Sequence, residues 1–166
     1  ALPNWVLYRN DLFDQVLSNK QFSVFSVFRD RQVTKGSATA VNGIWVVRSR
    51  NIPREGKSII HIDGYDMYVH RDDIGSFEVT KYLDRDDVFL VPNMTYYPRM
   101  IRKPRDVLTN GSVAILIPNE GINVSDADMD YIGSAEFEEF YRIARNHATR
   151  SLNIDGVSIY YFCVSE

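Results

Sequence analysis

Arginine is the side chain through which this sequence could do most chemistry. It outnumbers lysine fourteen to five, although the chain is acidic overall, with a formal net charge of −3. A guanidinium is planar, permanently charged and carries a fixed fork of N–H donors. That fork suits bidentate contact with a phosphate or with a guanine edge. The stretch from Phe25 to Asn51, FSVFRDRQVTKGSATAVNGIWVVRSRN, together with the three residues after it, holds Arg29, Arg31, Lys35, Arg48, Arg50 and Arg54 against one acid, Asp30. Tyr96 to Arg105 (YYPRMIRKPR) adds Arg99, Arg102, Lys103 and Arg105 with no acid. Arg142 to Arg150 adds Arg142, Arg145, His147 and Arg150, again with none.

Acids collect elsewhere. Glu120 to Glu139 holds seven carboxylates and no Lys or Arg. Such segregation is what a nucleic-acid-binding face on an acidic protein requires. Phosphate contacts then set register, while base contacts specify sequence. Arg29, Lys35, Arg54, Lys103 and Arg105 are the phosphate candidates, and Arg102 is a DNA-binding candidate assigned to neither class. Arg31, Gln32, Arg48, Arg50, Asn51, Tyr97 and Arg99 are the base-reading candidates, with Asn146 and Arg150 beside them. Gln32, Asn51 and Asn146 have the amide geometry that reads adenine. Charge pattern alone leaves a second reading open, in which these arginines pair with the plentiful Asp and Glu on a solvated surface.

Signals for catalysis are sparse. His61, His70 and His147 form no HxH or HxxxH pair, and no GxGxxG, GxxxxGK[ST] or GxSxG is present. Asp84, Asp86 and Asp87 around Arg85 could mimic a metal loop but read better as a solvated turn. One pattern is nuclease-like. Asp30 followed by Glu55-Gly56-Lys57 could hold a divalent ion and polarise a water. The Glu-Gly-Lys triplet sits in a Pro/Gly turn, whereas that chemistry needs a core strand. The single cysteine, Cys163, excludes an internal disulfide and a cysteine-based zinc site, and favours a cytoplasmic origin. No segment approaches the about 18 apolar residues that span a bilayer, so no membrane contact is expected. The chain opens on Ala without Met, as expected of a processed protein or a segment of a longer one.

These residues need a scaffold, and 166 residues with 45% hydrophobic content allow one domain with a real core. Asn4–Arg9 reads as a short strand. Leu12 to Leu17 reads as a helix face behind the cap candidate Asn10. Strands are expected at 22–28, 44–47, 58–62, 67–69, 88–91 and 112–117. The segment 72–82 is ambiguous. Helices are expected at 126–132 and 134–147, the latter with acids in its first turn and Arg142 and Arg145 in its last. Val157 to Val164 reads as a strand or extended segment. The expected fold class is therefore α+β: a single mixed domain over residues 1–166, with strands in the first two-thirds and a helical hairpin near the C-terminus. The lack of βαβ alternation argues against a doubly wound nucleotide fold.

WVLYRNDLFDQV, VFRDRQVTKG and WVVRSRNI, in that order, resemble the C-terminal part of adenine-specific DNA methyltransferases of type II restriction–modification systems, the group related to Alw26I, Eco31I and Esp3I. The later order is similar to TaqI-like target-recognition domains. It runs through Arg48-Ser49-Arg50-Asn51-Ile52, the Tyr65 and Tyr68 segment, Asp86 to Val91, Tyr96 to Arg105, Val113 to Ile117, Gly133 to Phe137 and Thr149 to Ile154. The resemblance implies a bacterial module that docks on double-stranded DNA and reads a short site. A separate catalytic domain of the same parent chain would bind S-adenosylmethionine and flip the adenine. The Asn/Asp-Pro-Pro-Tyr/Phe motif of that domain is absent here, as are its cofactor-binding glycines. No cofactor is expected in this chain and no catalytic residue is assigned. The rival readings are a metal-dependent nuclease domain, a protein-interaction module, and a specificity subunit of a type I system.

Overall fold

The computed structural model describes residues 1–38, 42–55, 57–95, 97–148 and 152–166. In chain order they form α1 (Asp11–Asn19), β1 (Lys20–Gln21), β2 (Phe25–Arg29), β3 (Ile44–Val47), β4 (Met67–Val69), β5 (Phe89–Pro92), β6 (Met94–Thr95), β7 (Ile101–Arg102), β8 (Val107–Thr109), β9 (Val113–Pro118), α2 (Asp126–Ile132), α3 (Ala135–Ala144), β10 (Leu152–Asn153), α4 (Gly156–Tyr161) and β11 (Val164–Ser165). The fold class is α+β, as the sequence pattern implies.

A four-stranded antiparallel sheet, in the order β2-β9-β5-β7, divides the molecule. Successive side chains on a strand point to opposite faces. On one face lie Phe25, Phe89, Val91, Ala114 and Leu116, which pack with α1, α3 and α4. On the other lie Leu90, Ile101, Val113 and Ile115, which pack with a three-stranded mixed sheet, β4-β3-β8. The unbroken apolar run VAILI of β9 is the mark of a strand covered on both faces. Aromatic pairs fill the helical layer: Phe13 stacks on Phe140 at 4.9 Å, and Phe137 stacks on Tyr141 at 5.7 Å.

Local signals account for the helices. Asn10 Oδ1 accepts from Phe13 N at the start of α1, and Ser134 Oγ accepts from Phe137 N at the start of α3. α2 and α3, separated by Gly133 and Ser134, are the expected late helical pair.

Three expectations are corrected. Asn4–Arg9 pairs with no strand; side-chain bonds pin it instead, with Asn4 Nδ2 donating to Ala144 O and Asn146 Nδ2 to Trp5 O. Residues 58–62 form no strand, and Ile60 N donates to Asn51 O. Residues 157–161 are helical, because Asp155 caps the first turn by accepting from Val157 N and Ser158 N. Only Val164–Ser165 is strand there, paired with β1. The ambiguous segment resolves into two 3₁₀ stretches, Arg71–Ser76 and Glu78–Tyr82.

The core contains groups that resist deprotonation. Burial pushes Tyr141, Tyr161 and Cys163 each up to about 12, from ordinary values of 10.0, 10.0 and 9.0. The folded protein therefore keeps protons that the unfolded chain releases. That stabilisation is complete below pH 9 and is lost as pH rises toward 12. Lys103 acts in the opposite sense. Burial pushes it down to about 8 from 10.5, so its contribution improves with pH between those values. The urea midpoint of the protein is expected to fall most steeply above pH 10.5, and denaturation curves at stepped pH test this. Cys163 should stay inert to a thiol reagent at pH 8 in the native state and react once urea unfolds the chain.

Candidate nucleic-acid interface

β2 and β5 both run antiparallel to β9, so both end where β9 begins. β3 runs parallel to β8 and ends beside the β8–β9 turn. Three hydrogen bonds bind these exits together. Ser49 N donates to Ser112 Oγ at 3.1 Å, Asn93 N to Ser112 O at 2.9 Å, and Ile154 N to Asn93 Oδ1 at 3.2 Å. A side chain at Gly111 would meet Asp30 O at 2.9 Å, so only glycine lets the turn approach the end of β2. One rim of the molecule thus carries the ends of β2, β3 and β5. Arg29, Arg31, Arg48, Arg50 and Arg54 follow those ends, and the approach to β7 brings Tyr97 and Arg99 to the same rim.

Tyrosines hold the guanidiniums. Arg48 lies over the Tyr65 ring at 3.9 Å from its centroid, and Arg50 over the same ring at 4.8 Å. Tyr65 Oη accepts from Arg50 N at 3.3 Å, which ties the ring to the backbone beneath it. Arg54 lies over Tyr97 at 3.4 Å. Stacking fixes a guanidinium plane and leaves its N–H edge for a ligand. Lys35 and Arg48 flank Tyr65 and Tyr68 in a cleft of about 490 Å³.

The pairing pattern separates this rim from the other basic residues. Away from it, Arg9 pairs with Asp14, Arg71 with Asp106, Arg85 with Asp87, Arg105 with Asp86, and Arg142 with Glu138. Arg145 lies 3.7 Å from Asp155. Among the described residues, Arg29, Arg31, Lys35, Arg48, Arg50 and Arg54 make no ion pair. The solvated-pair reading therefore describes the outlying arginines other than Arg102, which donates to the Asp86 carbonyl and lies over Phe89, and not the rim.

Other candidates have structural positions. Asn51 is fully buried; its Oδ1 accepts from Arg48 N, and its Nδ2 donates to Ile60 O and Asp66 Oδ1. Lys103 is fully buried, and its Nζ donates to the carbonyls of Leu83, Arg85 and Pro104. Neither side chain can reach DNA without opening the fold, which corrects both expectations. Gln32 is spent at both ends: Nε2 donates to Ser76 O, and Oε1 accepts from Glu78 N. Asn146 likewise donates to Trp5 O and accepts from Leu7 N. Arg99 donates twice to Ile52 O and once to Tyr97 O, and burial holds its pKa below the usual arginine value. It braces the rim. Arg102 and Arg105 sit toward the opposite end of β5, where Arg102 pairs in register with Phe89 and Arg105 meets Asp86. Arg150 lies outside the described residues.

The nuclease triad is dispersed in its bonding. Asp30 is buried and caps the turn after β2, its Oδ2 accepting from Gln32 N and Val33 N. Lys57 pairs with Asp130, and Glu55 borders a cleft at the start of α3. Among the described residues, no group of three or more His, Cys, Asp or Glu could hold a metal ion. Within the same residues, no helix is long and apolar enough to cross a membrane.

Sequence reasoning missed Asp66, and it set His61 aside for want of a paired histidine. Burial alone would raise the Asp66 pKa, but hydrogen bonds from Asn51, His61 and Ile62 hold it below the usual carboxylate range. His61 lies 2.9 Å from Asp66 Oδ2 and stacks on Trp45 at 3.8 Å. His61 and Ile62 lie within five residues of Asp66 and Asn51 fifteen away, and the set forms no recognisable local motif. Comparison of the sequence with protein-family models gives no match, and comparison with curated proteins gives none either.

The two classes of residue predict opposite responses. Asn51→Ala strands Asp66, Ile60 O and Arg48 N, and should cost about 2–4 kcal/mol in urea unfolding. Lys103→Ala should cost about 2–4 kcal/mol, since the buried carbonyl of Leu83 and the part-buried carbonyls of Arg85 and Pro104 lose their donor and a cavity opens. Arg50→Ala should stay within about 0.5 kcal/mol of the parent, as expected of an exposed side chain.

Proposed function

We propose that this chain is the DNA target-recognition module of a bacterial, cytoplasmic adenine-specific methyltransferase or fused restriction–modification enzyme. It grips duplex DNA, while a catalytic domain of the parent chain binds S-adenosylmethionine and transfers the methyl group. Arg29, Lys35 and Arg54 supply phosphate contacts; Arg31, Arg48 and Arg50 face the bases. The observation that carries this reading is the rim itself. Three strand ends bring together arginines that make no ion pair among the described residues, and three of them, Arg48, Arg50 and Arg54, are braced on tyrosine rings. A purely structural arginine surface would be neutralised by the chain's twenty-two acids, as it is elsewhere on the molecule.

Neutralising phosphates releases counterions, so affinity for duplex DNA should fall linearly with salt on a double-logarithmic plot, with a slope of roughly −0.9 per phosphate contacted. Titration of a labelled duplex at several ionic strengths measures this; binding that ignores salt defeats the reading. In the parent enzyme, Arg50→Ala should abolish methylation of the cognate site and leave S-adenosylmethionine binding intact. Loss of cofactor binding instead would assign Arg50 a folding role.

A further inference from the structure

The internal bonding of the rim narrows what it can read. Adenine is recognised by an amide that donates and accepts at once, with Asn or Gln spanning N6 and N7. The three amides that the sequence offers for this task are already occupied at both ends. Gln32 joins Ser76 to Glu78, Asn51 joins Arg48 to Ile60 and Asp66, and Asn146 joins Leu7 to Trp5. Asn51 is also fully buried. Asn51 cannot present its paired donor and acceptor to a base edge without opening the fold, and Gln32 and Asn146 are each pinned by one donor and one acceptor bond that fix the amide plane against the protein. Arginine forks remain. Arg99 is engaged with the Ile52 carbonyl and Arg31 lies over no ring among the described residues, which leaves Arg48 and Arg50 as the base-reading forks held on a ring, that of Tyr65.

We infer that Arg48 and Arg50, held as a pair on the Tyr65 ring, make this module a reader of guanine, through the O6 and N7 edge in the major groove. The inference rests on the DNA-recognition reading and deepens it: the recognised site is defined by guanines, with adenine as the substrate base of another domain. Arg50 is the stronger member. It is exposed, makes no ion pair among the described residues, and donates its backbone N–H to the hydroxyl of the ring that its guanidinium covers. That anchor reduces the freedom lost when the fork meets a base, which is what a specificity contact needs. Arg48 is half-buried and lines the adjoining cleft, so it reaches less far.

Selection of the whole chain against a random-sequence duplex pool tests this. Enriched duplexes should carry guanine at fixed positions. Replacing those guanines with 7-deazaguanine, which lacks the N7 acceptor, should weaken binding about tenfold or more. Arg50→Lys keeps the charge and loses the fork, so it should retain salt-dependent binding and lose the guanine preference. Enrichment of guanine-free sites, indifference to 7-deazaguanine, or an Arg50→Lys variant with undiminished guanine preference each overturns the inference while leaving DNA recognition standing. Absence of any duplex binding at low salt overturns both.

Discussion

The stretch Val113 to Leu116 of β9 is buried on both faces, and that constraint organises the molecule. A strand buried on both sides must be hydrogen-bonded along both edges, because an unpaired backbone group in the interior costs as much as a lost hydrogen bond. β2 and β5 supply those edges, each antiparallel to β9. The helices then cover one face and the mixed sheet the other. Once two neighbours run antiparallel to one strand, their C-terminal ends must share its N-terminal end. Ser112, at that end, accepts from the exits of both β3 and β5. The rim is a consequence of how the core is closed.

Charge at the rim follows a different logic from charge elsewhere. Outlying arginines sit beside carboxylates, many only a few residues away in sequence or one helical turn off, as Arg85 with Asp87 and Arg142 with Glu138. Such exposed pairs contribute little to stability. At the rim Arg48, Arg50 and Arg54 rest on tyrosine rings, which orient a guanidinium without neutralising it. The amides near them perform internal work. Asn51 links three chain segments, and its removal would leave Asp66 charged and short of a donor in a partly buried site. Arginine and amide, interchangeable as candidates in a list, are divided by the fold into exposed forks and buried struts.

Much of the local structure was legible. Asn10 and Ser134 mark helix starts because a side-chain oxygen there satisfies an orphan N–H, a rule that needs no tertiary knowledge. The runs at 88–91 and 112–117 are strands, as a short apolar run bounded by turn residues suits a strand covered on both faces. Errors arose where a tertiary partner outweighed composition. Residues 157–161, rich in β-branched and aromatic side chains, are helical because Asp155 caps them and the core accepts one face of that helix. Asn4–Arg9 has a strand-like composition but finds no edge to join, and is held by amides from the end of α3.

By itself the sequence determined the α+β class, the positions of the principal helices and strands, and the presence of three basic clusters in an acidic chain. These depend on period, capping and composition, which act over a few residues. Tertiary structure decided which arginines belong together. It brought Arg29 through Arg54 to one rim with Arg99, sent Arg105 to Asp86 at the other end of β5, and sealed Lys103 and Asn51 inside. That division depends on strand register and on hydrogen bonds such as Ser49 to Ser112, between residues 63 positions apart. No local pattern encodes a partner at that distance, so burial and pairing had to be read from the folded chain.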